Sequence, residues 1–389
     1  MLRQGVSALT IGGIVTLLAG IILGAMEEVL AETPGLLVLV PSAIGMRGAV
    51  FGAMAARLGT GMLTGQFTTD LRRGSFTAAN IEAGLLLSLI TAVYTGVLAW
   101  AVSAFFGLPT IDWLQLVIVS AIGAMVASVV VLGVTLALAR TAQARSWDMD
   151  AIGTPVVTAT ADIVALPALL LGVLVLGNAV VHVVLALAIV AAAGAAVRVG
   201  MRSPSPLTRR IMRESLPVLA YAGFMGILAG TVLETRLETL VSDPALLVAI
   251  PPFMASAGAL GGILSARLSS RLHLGLIEPH SAPDRRAALE GSLVALLAVA
   301  GFTVVSLATW SGAGAMGLGR PAAWQLLIAI VAGGLLATGM LFFVAYYAAT
   351  ASYRFGLDPD NSSIPIVTSS MDFLGILCLV IGISLVGLG

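Results

Sequence analysis

Long apolar segments constrain this chain more than any other feature. They run near 6–26, 36–64, 80–105, 114–139, 151–176, 180–198, 215–235, 245–268, 288–312, 324–348 and 363–387. Each approaches or exceeds the roughly 20 residues with which a helix crosses about 30 Å of hydrocarbon. Only 10% of residues are charged and the mean hydropathy is +1.07, whereas soluble domains carry about a quarter charged residues. The expected fold class is an all-α polytopic membrane protein with eleven transmembrane helices. The first segment is too long for a cleavable signal peptide and leads into further spans. The single Cys378 excludes an intrachain disulfide and a cysteine-rich metal site. Zero net charge gives no bulk attraction to nucleic acid, so none is expected as a partner.

Arginines orient the spans. Arg3, Arg72 and Arg73, Arg140 and Arg145, the stretch Arg198 to Arg213, the stretch Arg271 to Arg286, and Arg354 fall on one side. The opposite connections hold Arg236 and Arg320. The expected topology is a multi-pass protein of the cell membrane with a cytoplasmic N-terminus and an external C-terminus. The outer connections carry Glu27, Glu28, Glu32, Asp112, Glu234, Glu238 and Asp243. Solvated loops account for these acids, and an outer mouth that concentrates cations is the functional alternative.

The chain repeats itself at an offset of 210 residues. "LAG" at Leu18–Gly20 recurs at Leu228–Gly230, and "LLVLVP" ending at Pro41 recurs as "LLVAIP" ending at Pro251. Gly48 and Gly52 match Gly258 and Gly262, and "ARL" around Arg57 matches "ARL" around Arg267. "DMDAIGTPVVTATAD" (Asp148–Asp162) matches "DPDNSSIPIVTSSMD" (Asp358–Asp372). The third helix needs a small gap to pair Glu82 with Glu290. The implied organisation is a first five-helix repeat over 1–178, a linker helix and connection over 179–210, and a second repeat over 211–389. Five helices per repeat would invert the second copy. The extra helix near 180–198 restores its orientation, so a pseudo-twofold axis along the membrane normal is expected. A pseudo-dimer of this kind is expected to function as a monomer.

The repeated aspartates carry the chemistry. Asp162 and Asp372 lie roughly 18 Å along the helix from Asp150 and Asp360, which puts them well inside the bilayer. A carboxylate there costs at least about 3 kcal/mol. Two such carboxylates facing each other would repel, and a cation between them relieves both costs. Pro155 and Pro365 cannot donate to the carbonyls of Ala151 and Asn361, and freed carbonyls are tolerated where they line a wet cavity. Thr158 and Thr368 lie one turn before the aspartates, on the same face. Carboxylate, hydroxyl and carbonyl oxygens without sulfur or histidine favour Mg2+, Ca2+ or Mn2+. A purely structural acid, protonated or paired with arginine, is the competing reading.

Here the sequence resembles a known family. A helix 2 that begins at a proline with glycine and arginine downstream, and a last helix of the form P-x-x-T-x-x-x-D, resemble the MgtE family of divalent cation transporters. The two-repeat, eleven-helix plan, and "SARLSSRLH" from Ser265 to His273, are similar to the eukaryotic solute carrier family 41 magnesium transporters. The resemblance implies transport of Mg2+, with Mn2+, Co2+ or Ca2+ as further candidates and no organic cofactor. It implies a pathway between the two repeats, with Asp162 and Asp372 binding the ion. It extends metal binding to Asp148 and Asp358 near the cytoplasmic mouth. The polar residue that follows the helix-2 glycine in the family is Ala49 and Ala259 here. The spans fill the 389 residues, so the family's cytoplasmic CBS domains are not expected. Their absence and the two-repeat form favour a carrier over a channel.

Other residues admit two readings each. Gly48-x-x-x-Gly52 and Gly258-x-x-x-Gly262 suit close helix packing or a narrow pore lining. Arg57 and Arg267 suit snorkelling to lipid phosphates. Arg47 lies inside helix 2, and its counterpart is Ala257; it suits pairing with a pore-side acid or filling a cation site in one half. Glu82 and Glu290 open the third helix of each repeat, where the helix dipole favours acids and an ion entrance is the alternative. His182, His273 and His280 are scattered and read as structural. The alternative function is a metal-dependent intramembrane enzyme acting on a lipid phosphate. Single, symmetric acids without lysine or histidine helpers argue against it.

Overall fold

The computed structural model describes residues 2–388 except 73, 146, 148, 177, 178, 281 and 356–362, with side chains excluded at 2–11, 150, 151 and 179–181. Among the described residues all regular structure is helical. The helices are α1 (Leu2–Gly24), α2 (Glu27–Glu32), α3 (Leu36–Leu63), α4 (Phe76–Phe105), α5 (Trp113–Arg145) and α6 (Met149–Leu174). They continue as α7 (Ala179–Met201), α8 (Pro206–Glu234), α9 (Leu237–Ser242), α10 (Ala245–His273), α11 (Arg285–Ala315), α12 (Ala323–Arg354) and α13 (Ser363–Leu385). Ten of these helices are long and apolar enough to span a membrane, and α1 adds the shorter apolar stretch Gly12–Gly24. The protein is a polytopic all-α membrane protein. Such a fold keeps every backbone hydrogen bond within its own helix, as hydrocarbon requires.

The observed helices overrun several expected boundaries. α5 and α12 continue to Arg145 and Arg354, and α8 begins at Pro206 rather than near 215. In each case the added turns are polar, so hydropathy alone stops short of them. The short helices α2 and α9 were not anticipated. They are too short to cross a bilayer, and they pack against each other.

The chain forms two compact units, Thr33–Ile227 and a split unit of Met1–Glu32 with Leu228–Gly389. Packing therefore divides the chain at different places from the sequence repeat. In the split unit α1 packs on α10 and α11. Gly20 lies so close to Val248 and Pro252 that a Cβ there would strike the Val248 carbonyl. In the Thr33–Ile227 unit, the part of α8 before Ile227 packs on α3 and α4. A Cβ at Gly226 would lie 2.8 Å from Ser42 Cα, and Tyr94 donates to the Ala220 carbonyl at 3.0 Å. The first helix of each sequence repeat thus completes the unit that holds most of the other repeat. The linker helix α7 packs on α4 and α5, and its Val184 and Leu187 are exposed, as suits a lipid-facing helix.

The two units share one helix crossing. In the Thr33–Ile227 unit α5 crosses α6 where Gly123 meets Leu169 and Gly172 meets Val119. In the split unit α12 crosses α13 where Gly333 meets Leu379 and Gly382 meets Ala329. All four positions correspond at the 210-residue offset. In both units the glycines remove side chains where the backbones touch, so dispersion contacts replace the missing hydrophobic drive between helices in lipid. The turns match too: Gly65 and Gly275 end α3 and α10 with φ of 70° and 68°, a left-handed conformation that an L side chain rarely adopts.

Candidate ion-binding site

α6 carries the first candidate set. Thr154, Thr158 and Asp162 are spaced by four, so they lie along one face of the helix. That face meets α3. A Cβ on Gly52 would sit 3.2 Å from Thr158 Cγ2 and 3.4 Å from Thr154 Cγ2, and one on Gly48 would sit 3.4 Å from Thr158 Cγ2. Thr154 also donates to the Gly52 carbonyl at 3.3 Å. The Gly48-x-x-x-Gly52 pair is therefore a close-packing surface against the threonine face of the aspartate helix. Thr158 donates to the carbonyls of Thr154 at 2.9 Å and Pro155 at 3.2 Å. Its proton is thereby committed, and its oxygen lone pairs remain available to a cation. Asp162 is half-buried and takes part in none of the ion pairs among the described residues. Pro155 lies inside α6, so the turn before it lacks one backbone donor.

α13 carries the second set with one difference in packing. Thr368 donates to the carbonyls of Ile364 at 3.0 Å and Pro365 at 3.2 Å, as Thr158 does in α6. Asp372 is likewise half-buried. α10 and α13 are joined by the buried Ser265–Ser363 hydroxyl contact of 2.8 Å. Here Gly261, not Gly258 or Gly262, faces the last helix, and a Cβ on it would meet Val367 Cγ1 at 3.3 Å. Among the described residues, a Cβ on Gly258 or Gly262 would meet no atom within 4 Å beyond the backbone of α10 itself. Pro365 lies two residues into the described part of α13.

The remaining expected ligands divide by what is described. Asp148, Asp358, Asp360 and Asn361 lie outside the described residues. Asp150 and Ala151 lie in the first turn of α6. Among the described residues no group of three or more His, Cys, Asp or Glu could hold a metal. Asp162 and Asp372 each stand apart from any such group among the described residues.

The charged residues near the ends of α3 and α10 depart from expectation. Arg267 pairs with Glu290 and donates through Nε at 2.5 Å, and Arg271 pairs with the other Glu290 oxygen at 2.5 Å. Arg267 therefore holds a buried carboxylate instead of snorkelling. The equivalent Arg57 donates through Nε to Asn80 at 2.8 Å. Asn80 and Glu290 are 210 residues apart, so Asn80 is the counterpart of Glu290 and the gap assumed for Glu82 is not needed. Glu82 instead accepts from Ser203 at 3.2 Å and from Thr208 at 3.2 Å. Asn80, Ser203 and Thr208 were missed from the sequence; an ungapped alignment of the repeats would have found the first. Both glutamates are satisfied within the protein at present.

Arg47 is buried at 2% exposure, and its Nε has no hydrogen-bond partner among the described residues. It joins none of the ion pairs found there. Of the histidines, His280 pairs with Glu278 at 2.9 Å and His273 Nδ1 lies 2.8 Å from the Ser269 carbonyl.

Together these observations describe a multi-pass helical membrane protein built by duplication, with one aspartate deep in the last helix of each copy. The family model MgtE, described as a divalent cation transporter, matches residues 40–172 and 250–382. The chain belongs to the MgtE family. It is accordingly a transporter of divalent cations and not an enzyme. The matched ranges contain both aspartates and both threonines. The chain is similar over its length to solute carrier family 41 member 2: 21% identical to the Xenopus laevis protein, covering 95% of this chain and 69% of that one. Identity to the human protein is 22%, covering 94% of this chain and 67% of that one. Among solved structures, an inward-facing multidrug resistance MATE family transporter of the MOP superfamily aligns over 96% of this chain and 93% of its own. Its 14% identity and TM-score of 0.28 establish no common fold.

Proposed function

We propose that this protein transports Mg2+ across the cell membrane, with Asp162 and Asp372 as the carboxylates that meet the ion. The observation that carries this reading is the P-x-x-T-x-x-x-D helix, present in both family-matched ranges. The oxygen-rich chemistry of that helix suits a hard divalent ion that keeps part of its water. Mn2+, Co2+ and Ca2+ fit the same donors less selectively. Thr158 and Thr368 add hydroxyl oxygen, and the carbonyls of Ala151 and Asn361 extend the polar lining. Asp148, Asp150, Asp358 and Asp360 form the cytoplasmic entrance in this reading, on the side where the arginines place the N-terminus. The duplicated five-helix plan, 1–178 and 211–389 about the linker 179–210, lets a single chain supply both aspartates, so the monomer is the functional unit. A carrier fits better than a channel, given the likeness to two-repeat carriers.

The test is Mg2+ uptake into proteoliposomes at clamped voltage, with and without Na+ and proton gradients. Asp162→Asn or Asp372→Asn is expected to reduce flux severely while the protein stays monodisperse. Wild-type flux in the double variant would sink the site assignment. Flux that follows the Mg2+ electrochemical gradient alone would argue against a coupled carrier.

A further inference from the structure

A charged side chain inside a helix bundle needs a reason. Arg47 lies in the interior of α3, with 2% of its surface exposed, so it does not snorkel to either interface. Its guanidinium keeps its proton under all ordinary conditions. Among the described residues it has no ion-pair partner, and its Nε has no acceptor. In a low-dielectric interior such a charge is felt strongly by any other charge at the same depth.

The packing register identifies that other charge. α3 and α6 are antiparallel: Ala55 meets Gly153, Gly52 meets Thr154 and Thr158, and Gly48 meets Thr158. Continuing this register sets Arg47 within about one turn of the level of Asp162. The other described acids of this unit lie elsewhere: Asp150 in the first turn of α6, Glu82 and Glu214 at the helix ends near Arg57, Asp70 in a connection, and Asp112 at the opposite ends. The second half carries no charge at the equivalent position. Ala257 occupies the place of Arg47 in α10, and its Cβ lies against α13 where a Cβ on Gly375 would be 3.4 Å away.

We propose that Arg47 is a built-in counter-charge for Asp162: it weakens the hold of the first half on a divalent ion and so allows release. This inference rests on the ion-binding role proposed for Asp162. The two groups form no ion pair, so the effect acts through space and follows charge rather than contact. A divalent ion feels it twice as strongly as a monovalent one. The arginine therefore sets affinity and the Mg2+-over-Na+ balance of the site, and the half with Ala257 lacks this brake.

The test uses the full chain, measuring Mg2+ binding by calorimetry in detergent and Mg2+ uptake in proteoliposomes. Arg47→Ala is expected to tighten Mg2+ binding at least ten-fold, equivalent to about 1.4 kcal/mol, and to slow turnover at saturation. Arg47→Lys keeps the charge and is expected to stay near wild type in both. Arg47→Gln, neutral but polar, serves if the alanine variant does not fold, and is expected to tighten binding likewise. Unchanged Mg2+ affinity in a folded neutral variant overturns the proposal. Equal losses in Arg47→Lys and Arg47→Ala overturn it as well, since shape and not charge would then matter. The two layers separate cleanly: wild-type flux in Asp162→Asn removes the ion-site reading. A neutral Arg47 variant with unchanged affinity, alongside a dead Asp162→Asn, removes this inference alone.

Discussion

Gly52 and Gly262 occupy equivalent positions in α3 and α10 but meet different surroundings, so one substitution has two outcomes. An alanine Cβ at Gly52 would lie 3.2 Å from Thr158 Cγ2 and 3.4 Å from Thr154 Cγ2. Carbon atoms prefer about 3.5–4.0 Å, so α3 and α6 must separate by a few tenths of an ångström. Overpacking of this kind costs about 1–3 kcal/mol, offset by about 0.8–1 kcal/mol from the better helix propensity of alanine. At Gly262 no atom of the described residues beyond the backbone of α10 lies within 4 Å of the new Cβ, so only the propensity gain remains. Gly52→Ala is therefore expected to unfold at a lower temperature than Gly262→Ala, by roughly 1–3 kcal/mol in stability. The assay is heating in detergent followed by size exclusion, scored by the monodisperse peak that survives. Flux adds a second readout, because Gly52→Ala pushes on Thr158, one turn from Asp162. Equal stability of the two variants, or a weaker Gly262→Ala, would refute the packing assigned to α3 and α6.

Glu290→Gln removes a buried carboxylate held by Arg267 and Arg271, and is expected to destabilise by about 3 kcal/mol; Asn80→Ala, which loses one hydrogen bond to Arg57, is expected to cost about 1 kcal/mol. The same heating assay compares them, and equal shifts would contradict the difference. Cys378 is fully buried, with Sγ 3.5 Å from Met340 Sδ, so a maleimide is expected to label it only on unfolding. Rapid labelling of the native protein would contradict the packing of α13 on α12.

Much of this protein is legible along the chain because lipid imposes simple rules. The long apolar runs required helices, and the membrane left no other way to satisfy their backbones. The 210-residue echo exposed the duplication, and the proline, threonine and aspartate of the last helix were visible as one pattern. Boundaries were less legible, since the polar ends of α5, α8 and α12 carry no hydropathy signal. The glutamates at the start of α4 and α11 were misaligned because acid resembles acid in a list of residues. The structure instead matches Asn80 with Glu290 by the arginine that each one holds.

Sequence by itself determined that the chain spans a membrane, that it is doubled, and which side chains bear charge inside the apolar runs. Periodicity and hydropathy are properties of residues in order, so they survive without coordinates. Tertiary structure decided which helix completes which unit, sending α1 to α10 and the start of α8 to α3 and α4. It also decided that Gly48 and Gly52 grip the threonine face of α6, while a Cβ on Gly258 or Gly262 would meet no described atom within 4 Å outside the backbone of α10. Those choices depend on which surfaces meet across hundreds of residues, and identical motifs met different neighbours.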